Sequence, residues 1–267
     1  MKSLTAEDIL SIIIIVRNRQ SHLENVLKSI ESNSPYFSEV IVVHMNQPVQ
    51  TGLYDLVNYD LSQYTIYSNT ESLPLAKARN LGASKAKSDT LFFLDVDCIV
   101  DENTCLEYLK ACKENTEEIY MSKCFYLEEP VKDLNDLKSI EYSEHPKRTV
   151  NIYPRWQLFW SLSFVINKDW FNKLGCFDED FINYGGEDTE LSYRNHLKGS
   201  KLNWVKEAVV YHQPHEINEL PIHHIKSVVA NINYFYDKYG FYIMENWIDG
   251  FEKLNLVKKV NNKYIIL

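Results

Sequence analysis

Residues 91–97 read LFFLDVD, four large apolar side chains followed by two carboxylates that flank a valine. The apolar run predicts a strand that is buried on both faces, as in a parallel sheet. Asp95 and Asp97 then stand at the carboxyl end of that strand, the edge where open α/β sheets bind their ligands. The segment therefore predicts an α/β fold with a polar site at this sheet edge.

The chain before this segment alternates β-branched runs with helical patterns, which is typical of a parallel sheet with crossover helices. A capping box at Ser21 and Glu24 predicts the start of the first helix, and Ser72 with Pro74 predicts the start of the next. The predicted strands of this half are Ser11–Val16, Glu39–His44, Tyr64–Tyr67 and Leu91–Leu94.

The alternation is less regular after residue 115. Strands are predicted at Ile119–Tyr126, Ser161–Ile166 and Asn203–Tyr211, and the polar residues 128–147 predict a loop or a short helix. From Ile222 onward, a tyrosine-rich helical pattern predicts a helical C-terminal segment.

The composition limits the classes of partner. At 267 residues, with 45% hydrophobic and 24% charged residues, the chain has the makeup of one large globular domain. A net charge of −9 argues against a nucleic-acid partner, because such proteins carry a basic face. Five cysteines without a Cys-x-x-Cys pair and a polar N-terminus predict a cytoplasmic protein. Lys253, Lys258, Lys259 and Lys263 permit a peripheral contact with a membrane, but the segment lacks a strong apolar stripe, which favours a structural role.

The strand-end aspartates are of the kind that holds Mg²⁺ or Mn²⁺ against phosphate oxygens. By itself, Asp95-Val96-Asp97 also fits a turn with solvated aspartates. Arg17 and Arg19 follow the first predicted strand and reach the same edge if the two strands are neighbours, and guanidinium groups match phosphate geometry. Arg79, on the helix before the fourth strand, is a third candidate for phosphate binding.

A second acidic cluster follows a diglycine turn, in the sequence Gly-Gly-Glu-Asp at residues 185–188. Two glycines permit a tight turn and close approach of the backbone to a ligand. Glu187 and Asp188 then fall in the first turn of a predicted helix, where the dipole favours ionised carboxylates. Such a carboxylate beside a hydroxyl serves as general base, although acidic residues also stabilise helix N-termini without any catalytic role. The two glycines favour the role of general base, because a helix cap alone does not need such a turn.

The last predicted strand ends in Tyr211-His212-Gln213-Pro214-His215. A neutral imidazole at His212 would complete a metal shell with Asp97, and His215 is the alternative ligand. A lone histidine is more often a structural hydrogen-bonding group, so the metal role depends on the carboxylates nearby.

These segments, in this order, resemble the GT-A glycosyltransferases, above all the β-1,4-galactosyltransferases and the transferase domains of bacterial chondroitin polymerase. The likeness spans about residues 11–215, and Gly-Gly-Glu-Asp is its most specific part. The matching segments are Ile13–Leu23, Met45–Gln47, Ala76–Gly82, Phe92–Asp97, Gly175–Glu179, Tyr184–Arg194 and Tyr211–Gln213.

The resemblance implies a GT-A fold, a Rossmann-like mixed sheet flanked by helices. It implies one catalytic domain at residues 1–217, with a nucleotide-binding half at 1–115 and an acceptor-binding half at 116–217. Residues 218–267 would then be a C-terminal helical extension.

Carried over position by position, the resemblance implies an inverting transferase that uses Mn²⁺, or alternatively Mg²⁺, and a UDP-sugar of the Gal or GalNAc type. Asp188 would be the catalytic base, and Asp97 and His212 would bind the metal. The donor-binding residues would be Arg17, Arg19, Asn46, Arg79, Asp95 and Val96. The residues that meet the acceptor, a glycan or another hydroxyl compound, would be Glu187, Gly186, Tyr184 and Trp160.

Two positions depart from the family pattern. His44–Gln47 stands where many relatives have an acidic pair that grips the uracil, and Tyr184 stands where galactosyltransferases often have tryptophan. Two other functions remain open: a non-catalytic sugar-binding or scaffold protein on the same fold, and a sugar nucleotidyltransferase. The nucleotidyltransferase is less favoured because no glycine-rich phosphate loop lies near the N-terminus.

Overall fold

A computed structural model describes residues 5, 8–68, 72–145, 149, 154–215 and 220–267. The elements in chain order are β1 (Leu10–Val16), α1 (Gln20–Ile30), β2 (Phe37–Met45), β3 (Leu61–Ile66), α2 (Leu75–Lys85), β4 (Thr90–Asp95), β5 (Cys98–Val100), α3 (Thr104–Glu114), β6 (Ile119–Leu127), β7 (Tyr142–Glu144), β8 (Ser163–Asn167), α4 (Lys168–Leu174), α5 (Glu187–Leu197), β9 (Leu202–His212), α6 (Ile225–Tyr239), α7 (Glu245–Lys253), β10 (Val257–Val260) and β11 (Lys263–Ile266). The predicted division between residues 217 and 218 lies outside the described residues.

One large sheet organises the chain in the strand order β3-β2-β1-β4-β8-β6-β9-β5, with β7 paired to β6. β1 pairs in parallel with both β2 and β4, whereas β8 runs antiparallel to β4. Because Ile15 of β1 lies opposite Asp95 of β4, the segments after both strands reach the same sheet edge. The mixed sheet with flanking helices confirms the expected fold class.

The two helices nearest the site pack on opposite faces of the sheet. On α1 an apolar stripe that includes Leu23, Val26 and Leu27 enters one core layer. On α2 small residues enter the other layer, and a Cβ on Gly82 would overlap the side chain of Ile13. This close approach brings α2, with Arg79 on it, against the carboxyl end of the parallel strands.

Helix α1 begins at a different residue from the one predicted from the sequence. It begins at Gln20, so Ser21 lies inside the first turn and the capping box predicted at Ser21 and Glu24 is wrong. The side-chain amide of Gln20 instead donates a hydrogen bond to Glu24 at 3.0 Å. The earlier start follows from Asn18, whose φ of 55° turns the chain directly after β1.

The C-terminal segment is helical only in part. It contains α6 and α7 as predicted, but residues 257–266 form the hairpin of β10 and β11. Asn261 and Asn262, with φ of 48° and 58°, form the two-residue turn, and asparagine tolerates that left-handed conformation well. The segment builds its own apolar cluster around Phe235 and Phe251, and Trp156 and Tyr193 pack against it.

No helix in the described part of the chain is both long and apolar enough to cross a bilayer.

Candidate active site

Asp97 lies where three elements meet. It lies in the turn that follows β4, directly before β5. β5 pairs antiparallel with β9, so that Cys98 lies opposite His212. The backbone N–H of Gln213 donates to the carbonyl of Asp97 at 2.7 Å. Arg19, one residue before α1, forms an ion pair with Oδ2 of Asp97. The strand register therefore places the end of β9 beside the second aspartate of LFFLDVD.

Two histidines face this carboxylate. Nε2 of His212 lies 3.5 Å from Oδ1 of Asp97, and Nε2 of His215 lies 3.5 Å from Oδ2. One ligand atom from each of the three residues lies within 4.8 Å of the others. Burial lowers the pKa of His212, although the charge of Asp97 opposes this effect, so the imidazole is available in its neutral, metal-binding form. A set of one carboxylate and two imidazoles can hold a divalent metal ion. His215 thus lies beside His212, not in its place.

Helix α1 fixes the segment that carries these histidines. Asn25 donates a 2.9 Å hydrogen bond to the side-chain carbonyl of Gln213, and the amide of Gln213 donates to the backbone carbonyl of His22 at 3.3 Å. The ring of His22 lies 3.4 Å from the carbonyl of Pro214. The sequence offered no signal for these contacts, since they join residues about 190 positions apart.

Arg79 joins the two acidic clusters. Its Nη1 donates to Oε1 of Glu187 at 2.9 Å, and its Nη2 lies 3.3 Å from Oδ1 of Asp95. The guanidinium is almost fully buried, with 6% of its side chain exposed, and lies over the ring of Phe177. A single buried cation therefore serves one carboxylate from each cluster.

The carboxylates around Arg79 hold their protons more tightly than usual. Burial raises the pKa of Asp95 to about 6; Arg79 opposes this rise, and the charges of Asp97 and Asp188 add to it. Burial likewise raises the pKa of Glu187 to about 7, with Asp188 adding and Arg79 opposing. The contacts of Arg79 with Asp95 and Glu187 place the strand-end cluster and the diglycine cluster next to each other.

Asp188 lies in the first turn of α5, which starts after Gly186 at a φ of 99°. Oδ1 of Asp188 accepts a hydrogen bond from the backbone N–H of Thr189 at 2.7 Å. Oδ2 accepts a longer bond from the N–H of Ser161 at 3.3 Å. The two bonds orient the carboxylate, and a general base must be held in a fixed position beside the hydroxyl that it deprotonates.

The ring of Tyr184 packs against other aromatic side chains of the protein. The ring stacks on His224 and on Trp247, with centroids 4.5 Å and 5.8 Å away. Burial raises the pKa of Tyr184 to about 12, and the nearby charges of Asp188 and Glu187 contribute to this rise. A sugar ring that stacked on Tyr184 would compete with His224 and Trp247 for its faces.

Three other predicted residues have different surroundings. The side chain of Val96 is buried in the core, and its predicted contact with the donor stays a prediction. The side-chain amide of Asn46 forms hydrogen bonds with Ser68 and with the carbonyl of Ser72. Trp160 packs edge-on against His145 at 4.8 Å.

Arg17 lies half-buried directly after β1, at the same sheet edge as Arg19. This placement agrees with the edge predicted for both arginines.

Asn231 of α6, a residue that the sequence patterns did not indicate, holds the diglycine loop. Its side chain accepts from the N–H of Ile182 at 2.9 Å and donates to the carbonyls of Ile182 and Gly185 at 2.8 and 2.7 Å. A weaker bond of 3.3 Å reaches the carbonyl of Tyr184. A Cβ on Gly186 would lie 3.2 Å from Cε of Met244, so the C-terminal segment also packs directly on the turn.

Comparison with known proteins assigns the chain to a family. Residues 11–263 match the family described as Glycosyltransferase like family 2. The chain is 26% identical over 257 residues to the chondroitin synthase of Pasteurella multocida (strain Pm70), which covers 84% of this chain and 27% of that protein. It is 23% identical over 285 residues to the inactive polypeptide N-acetylgalactosaminyltransferase-like protein 5 of Macaca fascicularis, which covers 96% of this chain and 61% of that protein.

A solved structure supports the fold. The crystal structure of GalNAc-T7 with UDP, GalNAc and Mn²⁺ superposes with a TM-score of 0.56 at 18% identity, over 76% of this chain and 43% of that chain. The likeness confirms the GT-A architecture expected from the sequence. Since this chain spans 27% and 61% of the two curated relatives, it corresponds to a part of each.

Proposed function

The chain belongs to the Glycosyltransferase like family 2, and on that premise we propose that it is an inverting, metal-dependent glycosyltransferase. The donor is a UDP-sugar of the Gal or GalNAc type, and the acceptor is a hydroxyl group of a glycan or another compound. The main support for the proposal is the contact of buried Arg79 with both Asp95 and Glu187. This contact brings the acidic cluster at the end of β4 next to the first turn of α5, which carries the proposed base Asp188.

The donor half of the cleft binds the nucleotide diphosphate. Asp97, His212 and His215 would hold Mn²⁺, since the three ligand atoms converge and two imidazoles suit Mn²⁺ better than Mg²⁺. When bound, the ion offsets the negative charge that develops on the leaving diphosphate. Arg17 and Arg19 bind the phosphate oxygens from the other side of the same edge.

The acceptor half performs the displacement. Oδ2 of Asp188 takes the proton of the acceptor hydroxyl as its oxygen attacks the anomeric carbon. The new carbon–oxygen bond forms on the face opposite the bond to the diphosphate, which breaks and leaves with its electron pair, so the configuration inverts. Glu187 and Asp95, both tied to Arg79, hold the hydroxyls of the sugars that meet between them.

The relatives support this choice of donor and cofactor. One solved relative was crystallised with UDP, GalNAc and Mn²⁺, and one curated relative is named a chondroitin synthase. Another is named inactive, which keeps a non-catalytic sugar-binding protein as the second candidate. The chain retains both acidic clusters, which favours transfer. The cytoplasmic location and the division of the chain at residue 217 remain proposals from the sequence.

The test is a transfer assay with radiolabelled UDP-Gal, UDP-GalNAc, UDP-GlcNAc and UDP-Glc, in the presence of Mn²⁺ and a panel of oligosaccharide acceptors. We expect the formation of one labelled glycan of inverted configuration and the release of UDP. Saturable binding of UDP-sugar and Mn²⁺ without turnover on any acceptor would favour the non-catalytic protein. Release of inorganic diphosphate from UTP and a sugar 1-phosphate would favour the nucleotidyltransferase.

A further inference from the structure

The end of the chain exposes an unusual share of apolar side chains. Twelve large hydrophobic side chains are exposed among the described residues, and five of them belong to the last fourteen residues. These five are Leu254, Val260, Ile265, Ile266 and Leu267. Scattered apolar residues on a surface are ordinary, but a concentration in one short segment indicates a contact surface.

The same segment is positively charged, whereas the chain as a whole is negatively charged. Residues 253–267 contain four lysines and no aspartate or glutamate, whereas the whole chain has 37 acidic and 28 basic residues. The lysines are Lys253, Lys258, Lys259 and Lys263. We call this segment, with its exposed apolar and basic side chains, the C-terminal patch.

Val260 and Ile265 lie on one face of the hairpin, whereas Ile266 lies on the opposite face. The face with Val260 and Ile265 is a defined surface because the hairpin is held on α6. The side chain of Asn233 accepts from the N–H of Tyr264 at 2.9 Å and donates to its carbonyl at 2.8 Å, in the manner of a neighbouring strand. Lys263 forms an ion pair with Asp237 of the same helix. Lys258 lies opposite Ile265 in the antiparallel register, so both side chains lie on one face of the hairpin.

We propose that the C-terminal patch docks the protein on an anionic lipid surface. Apolar side chains of this size enter the boundary between headgroups and acyl chains, and the lysines interspersed with them meet the lipid charges. The acidic remainder of the chain is repelled by the same charges, which orients the patch toward the lipid. Symmetric pairing of two copies would instead place lysine against lysine, with no acidic residue of the patch to pair with them.

The experiment is cosedimentation of the full chain with vesicles of phosphatidylcholine alone and of phosphatidylcholine mixed with phosphatidylglycerol. We expect binding to the mixed vesicles that weakens with added salt, and little binding to phosphatidylcholine alone. The double substitution Lys253→Gln and Lys258→Gln should lower binding by more than tenfold, at about fivefold for each lysine. Ile265→Ser should lower binding as well.

A matched control removes two positive charges elsewhere: Lys198→Gln with Lys206→Gln, both on the exposed surface. Equal binding by the patch variant and this control overturns the proposal, and so does failure of the wild-type chain to bind the anionic vesicles. Dimerisation in solution that Ile265→Ser abolishes, without vesicle binding, assigns the patch to a second copy. The patch lies outside the proposed active site, so transfer activity is tested separately and neither result decides the other.

Discussion

The guanidinium of Arg79 donates a 2.9 Å hydrogen bond to Glu187, which lies 108 positions later in the chain. Its second terminal nitrogen lies 3.3 Å from Asp95. Removing one partner of a buried ion pair leaves an uncompensated charge, so each carboxylate depends on this cation. The two acidic clusters are therefore one site, and Arg79 is the residue that joins them.

Arg79→Gln should both destabilise the fold and suppress transfer. Loss of the buried cation leaves Asp95 and Glu187 without their shared partner, at a cost of about 3 kcal/mol in the free energy of unfolding. We expect the transfer rate to fall by about a hundredfold, because the donor and acceptor carboxylates lose their common support. Urea unfolding and initial rates measure the two effects. Lys77→Gln, an exposed position on the same helix, is the control, and equal behaviour of the two variants would contradict the role of Arg79.

Asp188→Asn should abolish turnover while sparing the donor site. An amide keeps the approximate shape of the carboxylate but cannot take a proton, so we expect kcat to fall by about a hundredfold or more. The affinity for UDP with Mn²⁺, measured by calorimetry, should not change. Asp180→Asn alters an exposed acidic residue before the same diglycine turn and should leave kcat unchanged. Full turnover by Asp188→Asn would remove the base assignment.

His215→Ala should weaken Mn²⁺ binding even though His212 remains. The loss of one of three converging ligands should raise the dissociation constant for Mn²⁺ by about tenfold or more, which electron paramagnetic resonance of the free ion measures directly. His212→Ala should have at least as large an effect. His223→Ala changes an exposed histidine and serves as the control. Unchanged Mn²⁺ affinity in His215→Ala would restrict the ligands to Asp97 and His212.

The strands and their shared edge could be predicted because a strand that is buried on both faces has a continuous run of apolar residues in the sequence. That reasoning correctly placed Asp95 and Arg19 at one edge of the sheet. The turn at Gly185 and Gly186 before α5 was predicted separately, from the two glycines. The partners of Arg79 and the Asn231 contacts could not be predicted, because each joins residues far apart in the chain and has no local period. The burial of the Val96 side chain could not be predicted either, because its position between two aspartates does not determine which way the side chain points.

The stability of the fold should depend on pH through Glu187. Its pKa is raised from 4.5 to about 7, mainly by burial, so the folded state holds this proton more tightly than the unfolded state. The contribution is therefore fully present below pH 4.5 and is lost as the pH rises through about 7. Between these limits it amounts to at most roughly 3 kcal/mol in the free energy of unfolding.

Glu187→Gln should flatten this pH dependence. Urea unfolding at a pH of about 5 and at about 8 should show a smaller loss of stability in the variant than in the wild type, because glutamine has no proton to release. Glu179→Gln, at an exposed position, should keep the wild-type slope. Parallel profiles for Glu187→Gln and the wild type would show that this carboxyl titrates alike in both states.

Asn231→Leu should impair the acceptor side of the site without affecting the donor side. Leucine keeps the branched shape of asparagine, although it is larger, and it leaves the carbonyls of Ile182 and Gly185 without their donor. The hydrogen bonds to these carbonyls fix the turn that opens α5. We expect kcat to fall by about tenfold and the KM for the acceptor to rise, while the affinity for UDP with Mn²⁺ stays unchanged. Asn233→Leu, two residues further along α6, removes the hydrogen bonds to the hairpin instead of those to the turn. It should lower the stability of the fold without a separate effect on transfer. If both variants reduce transfer equally, general destabilisation explains the loss, and residues 220–267 do not position the base.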